Sequence, residues 1–178
     1  MRHGPVTKRW IVPVNRLLAM MLASYCAMTT GCFIVASHPS DSELAELLNE
    51  QQEIIERLRS LVVSDTSAVC IGPDFAHEYT PQGNIEIIHG KDGWEEHRKI
   101  MRRLGMSGSV CQLVGTEDVV FTISSVGFLF SGSTKGLAYL EQPPQTVLSS
   151  LDVLEADLPG PGRYFRHVQD HWYIYFSR

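Results

Sequence analysis

Polar and apolar positions alternate along this chain with three different rhythms. From Leu17 to Ser37 there is no charge and no polar stripe, so this block has no face suited to water. From Ser40 the rhythm becomes helical. Leu44, Leu47, Leu48, Ile54, Ile55, Leu58, Leu61 and Val62 form one apolar stripe, and Ser40 with Glu43 forms a capping box at its start. These features predict a long amphipathic helix over residues 40–63, with Gln51 interrupting the stripe and Glu53 and Arg57 one turn apart in the favourable order. A second helix is predicted after Asp92, with Glu95 and Glu96 in its first turn, Arg98, Lys99, Arg102 and Arg103 towards its end, and Gly105 as its stop. That ordering of charge matches the helix dipole and accounts for the basic cluster without a ligand, with contact with anionic lipid as the functional alternative.

Beyond Gly105 the period falls to two. Val110–Val114, Val119–Ser124, Val126–Phe130 and Lys135–Leu140 read as successive strands, with turns at Gly115–Asp118 and Ser131–Thr134. Val119, Phe121 and Ile123 should share one face of their strand. Shorter strand signals stand at Val69–Ile71 and Ile85–Ile88, with turns at Gly72-Pro73 and Pro81–Asn84. Pro143-Pro144 predicts the start of a third helix carrying Val147, Leu148, Leu151 and Leu154, stopped by Pro159–Gly162. A closing hairpin runs from Tyr164 to Val168, turns at Gln169-Asp170, and returns from His171 to Phe176. The expected fold is therefore α+β: a mainly antiparallel sheet of about five to six strands flanked by helices, behind an N-terminal signal or anchor segment.

Length and charge sharpen the picture. The chain has 178 residues, enough for one domain over 38–178 after a leader over 1–37. Four of the fifteen basic residues and none of the twenty acids lie in residues 1–31, so the remainder carries eleven against twenty, a net −9. A domain this acidic lacks the footprint needed to hold phosphate backbones, which argues against nucleic acid as a partner. A basic segment followed by an apolar block is the pattern that enters export machinery. Thr29-Thr30-Gly31-Cys32 resembles a bacterial lipobox, with Thr29 where leucine is preferred, and makes Cys32 the candidate lipidation site. Cleavage near Val35-Ala36-Ser37 and an uncleaved membrane span are the other fates. Lipidation ranks first, the uncleaved anchor second and free secretion third.

Cys70 and Cys111 remain inside the domain. Outside the cytoplasm two such thiols are more often a disulfide than a metal site, the alternative being two separate buried thiols. No catalytic, cofactor or metal site is assigned. Ser131–Gly136 lacks the Gly-Lys-Ser/Thr order of a phosphate loop and the Ser-x-x-Lys spacing of an acyl enzyme, and reads as a turn. His167 and His171 flank Asp170 without a third metal ligand. His77-Glu78 and Glu95-Glu96-His97 come with no nucleophile, and a solvated helix face accounts for the latter. In the last strand Trp172, Ile174 and Phe176 alternate with Tyr173 and Tyr175. The strand is either buried on both faces, the favoured reading, or presents Tyr173 and Tyr175, with Lys135 nearby, as a binding face.

Ser124-Ser125-Val126-Gly127, Ser131 to Tyr139, and Tyr164-Phe165-Arg166-His167 with Trp172 to Phe176 together resemble a group of uncharacterised small bacterial envelope lipoproteins, over roughly the last third of the chain. The resemblance implies export and no catalytic residue. The expected function is a non-catalytic module tethered at the bacterial cell envelope, with the membrane as one partner through the N-terminus and an envelope protein as the other. The alternatives are a small exported hydrolase using Lys135 or a histidine, and a spacer self-associating through the 40–63 helix.

Overall fold

The computed structural model describes residues 37–178 apart from 66–67, 81–83, 90–91, 114, 129–130 and 153–159. The leader and Cys32 lie outside these residues, as do Pro81–Gly83 and the last part of the predicted third helix.

The capping box closes as its sequence predicts. The Ser40 hydroxyl accepts from the Glu43 amide at 3.2 Å, and the Glu43 carboxylate accepts from the Ser40 amide at 2.7 Å. Helix α1 (Asp41–Ser64) follows, and Leu44, Leu48, Ile55, Leu58 and Val62 are its buried apolar residues. Their spacing leaves position 51 as the missing member of the stripe. A polar Gln51 stands there, and its backbone departs from helical values (φ −117°, ψ 19°), kinking the helix. Helix α2 (Glu95–Arg103) begins after a 3₁₀ turn at Asp92–Trp94, so Trp94 rather than Asp92 occupies its cap position. Gly105, at φ 66°, terminates it in the left-handed conformation that glycine adopts without steric cost.

Among the described residues, eight strands form one antiparallel sheet: β1 (Ala68–Ile71), β2 (Phe75–Tyr79), β3 (Ile85–His89), β4 (Val110–Gln112), β5 (Val119–Phe128), β6 (Ser131–Tyr139), β7 (Arg163–Gln169) and β8 (Trp172–Ser177). Their order across the sheet is β3-β2-β1-β4-β5-β6-β8-β7. The count exceeds the expected five to six because β1 to β3 all join the sheet, and β2, Phe-Ala-His-Glu-Tyr, carries no clean alternation to announce it. Two predicted strands merge: 119–124 and 126–128 are one strand, bent at a bulge between Thr122 and Ser124. Ser131–Thr134 is not a turn but the first part of β6, since Phe128 already pairs with Ser131. Opposite the bulge, Gly136 approaches β5 so closely that a Cβ would stand 2.0 Å from the Phe121 carbonyl oxygen.

The described part of the predicted third helix, residues 143–152, is not helical. Its β-branched Thr146-Val147 backbone instead lies along the outer edge of β7. The Phe165 amide donates to Thr146 O at 3.1 Å, and the Leu148 amide donates to Phe165 O at 2.7 Å. One edge of the sheet is thereby partly covered, while β3 at the other edge pairs only with β2 among the described residues.

Helix α1 packs on β4, β5, β6 and β8, and α2 packs on α1. The main core fills the layer between helices and sheet, with Val119, Phe121, Leu137, Trp172, Ile174 and Phe176 facing α1 residues. A smaller cluster on the opposite face holds Ala138, Leu140, Tyr173 and Tyr175, with Val120 and Phe165 against it.

Cys70 and Cys111 form a disulfide joining directly opposed residues of β1 and β4. These strands belong to the two halves of the sheet that flank α2 in sequence, so the bond ties β1–β3 to the rest. The loop it closes, 41 residues in separation, gives about 4 kcal/mol on the chain-entropy model, and measured effects of about 2–4 kcal/mol are typical. Peptide mapping without reductant should recover the two segments joined, and reductant should lower the melting temperature. Two thiols that alkylate independently in unfolded, unreduced protein would disprove the bond.

Candidate functional site

The densest polar cluster among the described residues lies where α1 meets the sheet. Strand alternation puts Ser133 and Lys135 on the helix-facing side of β6, and Ser124 of β5 pairs directly with Lys135. Lys135 is 2% exposed. Its ammonium donates to Asp152 at 2.6 Å and lies 2.8 Å from Asp41, itself 3% exposed. Asp41 also accepts from the Leu151 amide at 2.7 Å and the Ser150 hydroxyl at 3.1 Å, with Arg166 3.8 Å away. Burial alone would raise the Asp41 carboxyl. The Lys135 ammonium, the Leu151 amide and the Ser150 hydroxyl outweigh that and hold it below its ordinary value. Asp152 meanwhile accepts from the Asp41 amide through both oxygens, at 2.8 and 3.0 Å, at the electropositive start of α1.

His38 sits beside this cluster. Its Nδ1 is 2.7 Å from the Ser124 hydroxyl and its Nε2 is 2.8 Å from that of Ser133, while its ring meets Phe176 edge-on. His38, Ser40, Glu43, Lys135, Leu151, Asp152 and Phe176 line an open depression of about 410 Å³.

This arrangement suits cross-linking better than catalysis. A serine hydrolase needs a histidine placed between a nucleophile and an orienting carboxylate. His38 instead spans two serines on paired strands, and Lys135 donates to two carboxylates from a buried position. The cluster joins His38, two residues before the helix cap, to the first helical turn, the β5–β6 hairpin and the 150–152 segment.

Other candidates fare differently. Tyr173 and Tyr175 do not form an exposed face: they are 6% and 3% exposed within the second cluster. The Tyr175 hydroxyl is 2.6 Å from that of Thr122, and Tyr173 packs edge-on against Phe165 and His167. Neighbouring strands β5, β6 and β7 supply this cover, so the strand is buried on both sides and Lys135 is equally unavailable as a contact. His167 reaches the Asp170 carbonyl in its own hairpin at 3.0 Å and His171 reaches the Leu140 carbonyl after β6 at 3.2 Å, so each ring is engaged by backbone. His97 is not on a solvated face. It is 7% exposed, and burial pushes its imidazole below 6.5 despite the opposing Leu61 backbone and the Asp65 and Glu96 carboxylates.

Two surface features had no forewarning in the sequence. Ile85 and Ile87 on the open edge strand β3 are 54% and 60% exposed. A groove of about 530 Å³ separates α1 from α2, lined by Ile54, Arg57, Glu95, Glu96, Lys99, Ile100 and Arg103. The β3 signal was its Ile-Glu-Ile-Ile run, which marks a strand but not which edge it occupies. Neither a protein-family model, nor a curated protein, nor a solved structure matches this chain.

Proposed function

We propose that this protein is a non-catalytic interaction module, held at the bacterial envelope by its N-terminal segment, which binds an extended segment of a partner protein along β3. The observation that carries the reading is the edge of β3, which pairs only with β2 among the described residues and has two exposed isoleucines on one face. Natural edge strands are usually blunted by charge, proline or a covering element; β3 carries Glu86 as its one acid and no proline, and an edge strand with exposed apolar residues is a template for another strand. Added strands gain affinity from main-chain hydrogen bonds and specificity from alternate side chains. Ile85 and Ile87 supply that alternation, Glu86 faces the other way, and the disulfide anchors the β1–β3 sub-sheet against the pull of a bound partner. The buried Lys135 cluster supports a scaffold role over the hydrolase alternative.

Crosslinking capture from native membranes tests the reading. Burial of one isoleucine contributes about 1.5–3 kcal/mol, so Ile87→Lys should weaken capture roughly tenfold or more while leaving the fold intact. Undiminished capture by a stable Ile87→Lys protein would remove β3 from the interface. Labelled fatty acid should enter the wild type and not Cys32→Ser; labelling and normal maturation of that variant would transfer the anchoring role to cleavage or a plain span.

A further inference from the structure

We infer that the groove between α1 and α2 is a binding site for one single-chain amphiphile with an anionic head, such as a long-chain fatty carboxylate. This site is separate from β3 and does not depend on the partner reading. Its size, about 530 Å³, falls in the range of small-molecule pockets. Its walls are mostly hydrocarbon: Ile54 and Ile100 form the floor, and the methylene stems of Arg57, Lys99 and Arg103 extend it outward. A ligand filling it must therefore be largely apolar.

The charges around the groove select the head. Arg57 pairs with Glu96, and Glu95 lies 3.9 Å from Arg102, so both acids at the rim have cationic partners. Lys99 and Arg103, one helical turn apart on α2 and both exposed, make no ion pair with a described residue. In a domain carrying net −9 over residues 32–178, two uncommitted cations beside an apolar trough form a local inversion of charge. An anionic head placed between Lys99 and Arg103 gains both, while its chain runs over Ile100 and Ile54. A cationic head at the same place would be repelled, and a neutral one would gain nothing from the rim.

Photo-crosslinking on the full chain in nanodiscs of zwitterionic lipid tests this. The probe is a C12 fatty carboxylate carrying a chain diazirine. Adducts should map to the α1 and α2 peptides that contain Ile54 and Ile100. Unlabelled dodecanoate should suppress them, and dodecyltrimethylammonium at equal concentration should not. Lys99→Gln with Arg103→Gln should cut the adduct yield at least tenfold, with a retained cooperative melt showing that the fold survives. Equal competition by the ammonium compound, or full labelling of the double variant, would overturn the proposal. So would groove labelling by a diazirine phosphatidylglycerol in the disc without any by the carboxylate, because the ligand would then be membrane lipid. Loss of the groove adducts leaves the β3 reading untouched, since Ile87→Lys is tested by capture alone.

Discussion

Replacing Lys135 with methionine should cost about 3–5 kcal/mol of folding stability, because it strands a buried carboxylate. Asp41 would keep the Leu151 amide and the Ser150 hydroxyl, with Arg166 at 3.8 Å as its one remaining cation among the described residues, and Asp152 would lose its ammonium as well. The loss reflects an unpaired charge more than the intrinsic worth of the pair, so Lys135→Met with Asp41→Asn should recover a substantial part of it. A double-mutant cycle by chemical denaturation measures that coupling. The pH dependence supplies a second check. In the wild type the folded carboxyl of Asp41 lies below its ordinary 3.8, so its contribution is present above that value and fades as pH falls through the folded value. Without Lys135, burial is the dominant influence, the folded carboxyl rises, and protonation relieves the variant. The stability gap between the two proteins should therefore narrow on acidification from pH 7 towards pH 4. His97 is depressed below 6.5 in the fold, so both proteins lose stability as pH drops below that value, and the effect cancels in the difference. A Lys135→Met protein as stable as wild type, with a gap independent of pH, would refute the buried cross-link.

Trp172→Ala should cost a comparable 3–5 kcal/mol, for a different reason. The indole is the largest of the fully buried side chains, packed with Phe121 at 5.6 Å between ring centres and edge-on to Tyr139 at 5.4 Å. Its Nε1 donates to Glu56 of α1 at 3.1 Å, so it also pins the helix to the sheet. Truncation leaves a cavity and removes that link at once. Trp172→Phe should retain most of the packing and lose about 1–2 kcal/mol, the spread that separates cavity from hydrogen bond. Tyr173→Ala and Tyr175→Ala should also destabilise, since both rings are buried, and neither should act as a selective binding variant. Thermal melts of the four proteins decide this: a Trp172→Ala protein melting with wild type would remove the residue from the core.

Local chemistry was legible wherever a residue's neighbours in sequence are also its neighbours in space. The capping box at Ser40, the stripe of α1, the arrest of α2 at Gly105 and the alternation of Trp172, Ile174 and Phe176 each depend on contacts within a few residues or on a fixed period, and each stands in the structure as the pattern implied. The pairing of Cys70 with Cys111 was an expectation drawn from the export pattern and the number of cysteines, and the structure places the two residues opposite each other on paired strands.

What failed in sequence has one physical origin. Whether Thr146-Val147 becomes helix or extended chain depends on an unfilled edge on β7, and whether Ser131–Thr134 turns or continues depends on where β5 ends. A lysine beside glycine and serine reads locally as turn chemistry. It becomes buried only because Asp41 and Asp152, 94 residues back and 17 residues ahead, converge on it and offset the cost of desolvation. The same holds for the tyrosines, whose period permits burial on both faces but does not supply the strands that cover them. By itself, then, the sequence determined helices α1 and α2, most of the strands and the residues able to form the core. Tertiary structure alone decided strand order, which strands lie at the edges, and which polar groups became cross-links, because each of those depends on a partner distant in the chain.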